Sequence, residues 1–203
     1  MEKFFVIEGC DGCGKSTVIK HLIAMLEEKE IDFIVTHEPG GVKSAEDIRA
    51  VALSSEYDVD PLTELFLYLA SRKEHLVKKV LPALNEGKLV LCDRFVASTI
   101  AYQGIGRNLG VDFVKTMNHI VVGNEIKPKT YFLDVTPEEC LRRIANSRKQ
   151  KEDRIDKEPL EFHKKIYEQY LKMAENGEMI KISADNSIDM AKIIFADIEK
   201  ELQ

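Results

Sequence analysis

Gly9-Cys10-Asp11-Gly12-Cys13-Gly14-Lys15-Ser16-Thr17 follows directly on the apolar run Phe4–Ile7 and opens onto Thr17–Glu28, where Val18, Ile19, Leu22, Ile23 and Leu26 form a helical stripe. The stretch satisfies G-x-x-x-x-G-K-[S/T] in the strand-to-helix context that the pattern requires. Glycines let the backbone curl until several N–H groups point inward, and the positive end of the next helix adds its dipole. The segment is therefore built to cradle a chain of phosphates. Lys15 then reaches the terminal phosphates, and the Ser16 hydroxyl is placed to ligate Mg²⁺. A chance glycine-rich turn is the competing reading, and the joint match of pattern and context argues against it. Cys10 and Cys13 also spell C-x-x-C, yet no second pair stands at zinc spacing and two thiolates do not make a tetrahedral site. They read as variable cradle positions, with oxidation sensitivity as a side effect.

Outward from the cradle, short apolar runs alternate with helical patterns. Strands are expected at Phe4–Ile7, Phe33–Thr36, Leu89–Cys92, Thr130–Leu133 and Met179–Ile182, with helices over Pro61–Leu84, Val111–Val122 and the stretch carrying Ala191, Ile194, Phe195, Ile198 and Leu202. Continuous apolar strands alternating with helices predict an α/β fold, a five-stranded parallel sheet with helices on both faces. The chain's 203 residues suit one domain, and no linker or repeat divides them. A net charge of −6 removes the general attraction to nucleic-acid polymers. No apolar run approaches the ~18 residues of a membrane span. The polar turn soon after Met1 and the four cysteines without a framework spacing fit a cytoplasmic protein.

Three classes of phosphate-cradle protein are open. A GTP switch needs N-K-x-D and D-x-x-G motifs, which do not accompany Asp93; a remodelling ATPase usually needs a larger frame. A small metabolite kinase needs only the cradle, an acceptor site and a basic lid. Leu89–Cys92 ends in Asp93-Arg94, at the strand edge where open α/β sheets hold ligands. Asp93 suits the magnesium shell and Arg94 a forked grip on an acceptor phosphate, against the plainer reading of a surface ion pair. In Pro61–Leu84, Arg72 interrupts the row Leu65, Leu69, Leu76, with Tyr68 one turn before it. An aromatic plane beside a donor fork suits a planar heterocycle; the alternative is an arginine paired to a buried carboxylate. Ser98, Tyr102 and Gln103 fall near the same edge, and Tyr102 reads equally well as core.

Together the sequence resembles the bacterial thymidylate kinases along nearly its whole length. The resemblance rests on Glu8–Thr17, Thr36-His37-Glu38-Pro39-Gly40-Gly41, Leu69-Ala70-Ser71-Arg72, Asp93-Arg94-Phe95, Ser98-Thr99-Ile100-Ala101-Tyr102-Gln103-Gly104 and Asp153-Arg154-Ile155-Asp156. It implies a P-loop nucleotide kinase fold with a small lid over about residues 143–158, and phosphoryl transfer from ATP–Mg²⁺ to dTMP. ATP would lie on Gly9 through Thr17 and Arg143, with Mg²⁺ held by Ser16 and Asp93. By the same resemblance Tyr68 stacks on thymine, Arg72 bonds a base carbonyl and Arg94 clamps the dTMP phosphate. Asp11 and Tyr102 border the deoxyribose. Thr99 and Gln103 complete the base pocket, with Glu38, Pro39 and Ser98 also on the dTMP side.

Cys13 stands where some members carry a basic residue in the cradle, so the catalytic arginines are expected in the lid, at Arg143, Arg148 and Arg154, with Lys149 and Lys151 as softer candidates; taken alone, this charge run reads as a solvated face. Lys15, Arg94, Arg148, Arg154 and Asp11 are thus the expected catalytic set. His37 and Val42-Lys43 depart from the family's usual residues. The resemblance also implies a homodimer, for which Val111–Val122 offers an apolar helix. Adenine is expected near Ser183–Asn186. Another nucleotide or metabolite kinase, or a non-catalytic nucleotide-binding regulator, remain the alternatives.

Overall fold

The computed structural model of the chain describes residues 3–124, 126–146 and 158–202. Within them β1 (Phe4–Glu8), β2 (Phe33–His37), β3 (Leu89–Asp93), β4 (Lys129–Leu133) and β5 (Ile180–Ile182) form one parallel sheet in the order β2-β3-β1-β4-β5. Each strand lies within one residue of its apolar run. Three of them extend by one polar residue at the carboxyl end: Glu8, His37 and Asp93. That edge carries the chemistry.

Helices cover both faces. One core cluster gathers Phe5, Ile7 and Leu91 with Val18, Leu22 and Leu26 of α1 (Lys15–Glu28) and Ile194 and Ile198 of α9 (Ser187–Glu201). A second gathers Phe4, Val6 and Val90 with Leu76, Val80 and Ala83. Between these lie α2 (Lys43–Leu53), α5 (Val96–Thr99), α6 (Val111–Val122), α7 (Pro137–Asn146) and α8 (Leu160–Glu175). Tyr170 of α8 stacks on Phe132 of β4 at 5.1 Å.

The helix expected over Pro61–Leu84 is not one regular rod. It comprises α3 (Pro61–His75), a π-helical turn (Leu76–Val80) and α4 (Leu81–Asn85). Pro82 lacks the N–H of a regular helical ladder and its ring crowds the preceding turn, and the wide turn immediately upstream accommodates both. At the other end Asp60 caps α3, its Oδ1 accepting from Leu62 N at 2.9 Å and Thr63 N at 3.2 Å. A second π-helical stretch, Ile100–Gly106, continues α5 and sets Tyr102 and Gln103 into the interior.

Candidate active site

The cradle joins β1 to α1. Gly12 and Gly14 take φ values of +82° and +102°, which a side chain opposes, and a Cβ on Gly12 would lie 2.4 Å from the Cys140 carbonyl oxygen of α7. Lys15 is 7% exposed, and its Nζ donates to the carbonyls of Gly9 and Cys10, each at 3.1 Å. Burial and Arg94 pull its pKa down, but Cys13, Asp93 and Asp11 leave it raised, so the lysine is a cation. Ser16 and Thr17 are exposed in the first turn of α1. From α7, Arg143 places Nη1 3.1 Å from the Cys13 carbonyl while Glu139 holds its Nε at 2.7 Å. Ser187, at the start of α9, also approaches Gly14, which sets the segment after β5 beside the cradle.

All four cysteines are buried and free. Burial raises the Cys10 thiol and pushes Cys140 up to about 12. Thiols held this way are poor nucleophiles. Cys10 and Cys13 are packed under the cradle, 2% and 1% exposed.

Beside Lys15, the Oδ1 atom of Asp93 is buried without a hydrogen-bond partner among the described residues. A bare carboxylate oxygen at the cradle's rim fits a cation, and with the Ser16 hydroxyl it would make an oxygen donor set suited to Mg²⁺. No group of three or more ligating side chains occurs among the described residues, so such an ion would complete its shell with phosphate oxygens and water.

Arg94 has φ +69° and its backbone N–H bonds Ile7 O at 2.9 Å. Its Nη2 pairs with Asp11 Oδ1, its Nη1 donates to Ser98 Oγ at 3.0 Å, and its guanidinium lies 5.3 Å over the Tyr102 ring. Tyr102 donates to Asp11 Oδ2 at 2.8 Å. Burial alone would raise Asp11, but Arg94 and Lys15 hold its carboxyl well below the usual carboxylate range. Beneath them, buried Glu8 accepts from Phe95 N, Ser98 N, Ser98 Oγ and Tyr170 OH at 2.8, 3.1, 2.6 and 2.9 Å. Ser98 therefore braces Arg94 from below.

The alternative reading of Arg72, an arginine paired to a buried carboxylate, is the one the structure displays. Arg72 is 3% exposed and paired to the buried carboxylate of Glu38, Nε to Oε2 at 2.6 Å. Nη1 donates to Thr99 Oγ1 at 2.7 Å and to Asn118 Oδ1, and Nη2 to Phe95 O at 2.9 Å. Glu38 Oε1 meets His75 Nδ1 at 2.9 Å, and His75 Nε2 meets Thr36 Oγ1 at 2.7 Å. Glu38 and Thr99 thus stand behind Arg72, each engaged with it. Tyr68 is half-buried one turn earlier on α3. Pro39 accepts from Arg49 Nη1 at 2.8 Å, and Gln103 donates to the buried Glu64 at 2.6 Å. Arg148 and Arg154, with Lys149, Lys151 and residues 147–157 of the expected lid, lie outside the described residues.

The sequence reading missed the supporting layer: Glu8 as a hub, His75, Asn118, Glu64 and Tyr170. One signal was available, a charged or polar residue at a position that the apolar spacing would bury. It marks Glu8 at the end of β1, and Asn118 in α6.

A glycine-rich strand-to-helix loop with a buried lysine, an arginine facing it and a parallel sheet of this order define the P-loop nucleotide kinase fold. Comparison with known proteins narrows the class. The family model described as "Thymidylate kinase" matches residues 7–193. The "Thymidylate kinase" of Ligilactobacillus salivarius (strain UCC118) is 48% identical over 195 residues, covering 95% of this chain and 93% of that protein. That of Geobacillus sp. (strain WCH70) is 42% identical over 190 residues, covering 92% and 90%. That of Clostridium novyi (strain NT) is 41% identical over 189 residues, covering 92% of each. The chain belongs to the thymidylate kinase family.

Proposed function

We propose that this protein transfers the terminal phosphoryl group of ATP, taken up with Mg²⁺, to dTMP, giving dTDP and ADP for deoxythymidine triphosphate synthesis. Besides family membership, the observation that carries the reading is Arg94, held by Asp11 and flanked by Tyr102 at the rim of the cradle that contains Lys15. The acceptor is a phosphate oxygen, already anionic near neutral pH, so no strong base is required and catalysis reduces to alignment and charge neutralisation. Arg94 grips the acceptor phosphate. Lys15 neutralises charge that spreads over the transferred phosphoryl, and Arg143, Arg148 and Arg154 add to it. Ser16 and Asp93 would hold Mg²⁺, which would supply charge compensation for the phosphate groups. Tyr68 stacks on the thymine and Arg72 donates to a base carbonyl; Tyr102 and Asp11 border the sugar, where a ring packed at the 2′ position disfavours ribonucleotides.

The whole chain acts as one domain, with a lid over about residues 143–158 whose opening releases product. We read it as a cytoplasmic homodimer. α3 and α6 pack against each other and carry exposed Leu62, Phe66, Phe113 and Ile120, a surface fitted to a second copy. No helix among the described residues is long and apolar enough to cross a membrane. ADP formation from ATP–Mg²⁺ is the test, with dTMP, dUMP, dCMP, GMP or no acceptor. Turnover that depends on dTMP supports the reading. Preference for another acceptor makes this a different nucleotide kinase, and no turnover with any acceptor makes it a nucleotide-binding regulator.

A further inference from the structure

Arg72 carries five N–H donors, and four of them have partners among the described residues: Glu38, Thr99, Asn118 and the Phe95 carbonyl. One hydrogen, on Nη2, is left for a ligand. Four different segments set this arrangement: α3 supplies the arginine, the loop after β2 supplies Glu38, the β3–α5 segment supplies Phe95 and Thr99, and α6 supplies Asn118. Of the three side-chain partners, Asn118 alone comes from outside the motifs that mark the site. It is 2% exposed on the buried side of α6, one turn after Val114, and its Nδ2 donates to Val114 O at 2.8 Å. That bond fixes the orientation of the amide, because the nitrogen faces the helix backbone and Oδ1 must face Arg72.

We propose that Asn118 is a positioning residue for base recognition: by occupying one Nη1 hydrogen of Arg72 it fixes the plane of the guanidinium and limits the substrate to a single hydrogen-bond acceptor. The inference rests on the reading of Arg72 as the group that faces the base. Thymine offers a carbonyl at C4, where cytosine offers an amino donor. A guanidinium fixed in plane with one free donor accepts the first and rejects the second. Without Asn118 an Nη1 hydrogen is released, the group turns more freely, and a second acceptor elsewhere on a base becomes usable.

Two substitutions separate positioning from packing. Asn118→Leu is close to isosteric and removes the acceptor; Asn118→Asp keeps an oxygen opposite Nη1. Both lose the donation to Val114 O, so a merely structural role would move them together. Steady-state kinetics with dTMP, dCMP and ATP varied in turn, alongside the thermal midpoint, make the comparison. Asn118→Leu is expected to raise KM for dTMP roughly 10- to 100-fold and narrow the preference for dTMP over dCMP. KM for ATP stays within about twofold, while Asn118→Asp holds KM for dTMP within a few fold of the parent. Asn118→Ala repeats the test without a branched side chain should the leucine variant not fold. An unchanged KM for dTMP in the leucine and alanine variants, or equal shifts in these and the aspartate variant, overturns the proposal. A parent enzyme with no dTMP-dependent turnover overturns the functional reading and this inference together.

Discussion

Arg94 and Asp11 meet at the mouth of the phosphate cradle, with Nη2 of the guanidinium donating to Oδ1 and Tyr102 donating to Oδ2 at 2.8 Å. The acid thereby holds the guanidinium in place from the cradle itself. The same arginine sits at φ +69°, a left-handed conformation that costs a β-carbon residue roughly 1–2 kcal/mol. Such a conformation persists because the surroundings fix it: Ile7 O takes the backbone N–H, and Ser98 and Asp11 take the side chain.

Arg94→Ala is expected to lower kcat by roughly 100- to 1000-fold, the scale of one lost charge-stabilising donor. Arg94→Lys recovers only part, since an ammonium cannot reproduce the forked contacts. Saturating steady-state rates decide it, and a kcat unchanged in the alanine variant removes Arg94 from the clamp role.

Because Arg94 and Lys15 outweigh burial and lower the Asp11 pKa, the stability this carboxylate contributes is present above its ordinary value of 3.8 and is lost as the pH falls through its lower value in the folded protein. Asp11→Asn lacks that contribution at every pH. The gap in thermal midpoint between parent and variant is therefore constant near neutrality and closes as the pH drops below about 4. Melting curves at pH 7, 5, 4 and 3 measure it; a gap that stays level to pH 3 contradicts the ion-pair account.

Tyr68→Ala acts on binding. Loss of an aromatic stacking partner is expected to raise KM for dTMP about 10-fold and leave KM for ATP near the parent value. Varying each substrate separately distinguishes this from a general loss of folding, which moves both.

Gly12→Ala sets a Cβ against the Cys140 carbonyl at 2.4 Å with φ at +82°. The expected cost is roughly 2 kcal/mol, or about 4–8 °C in Tm for a chain of this length. KM for ATP rises with it, because the loop that donates to the phosphates is the one displaced. A Tm within 1 °C of the parent, about the noise of such a shift, would show that α7 yields instead.

Arg148→Ala is expected to lower kcat at least about 10-fold with both KM values less affected, as for a residue that supports the transferred phosphoryl in passage. Comparison with Arg154→Ala and Arg143→Ala ranks the three; an unaffected Arg148→Ala assigns the role to the other two.

The strands were legible because parallel strands buried on both faces read as unbroken apolar runs, and those runs stop one residue short where Glu8, His37 and Asp93 begin. Arg72 was legible as an anomaly in a leucine row, but its partner Glu38 lies 34 residues away, a pairing that exists only after folding. Asn118 gave a weaker mark, a single amide in a helix otherwise suited to core or interface. The π-helical turn before Pro82 escaped notice because apolar spacing alone does not register a missing N–H.

Tyr170 reaches Glu8 across 162 residues of chain. β1, the central strand, leaves the ribosome first, while its neighbours β3 and β4 and the helix that seals the end of the strand all come later. The floor under Arg94 therefore cannot assemble until α8 has been made. Truncations that end before α8 therefore release a polypeptide whose Glu8 lacks the Tyr170 hydroxyl and whose Phe132 lacks its stacking partner, a substrate for chaperones and proteases before it is an enzyme.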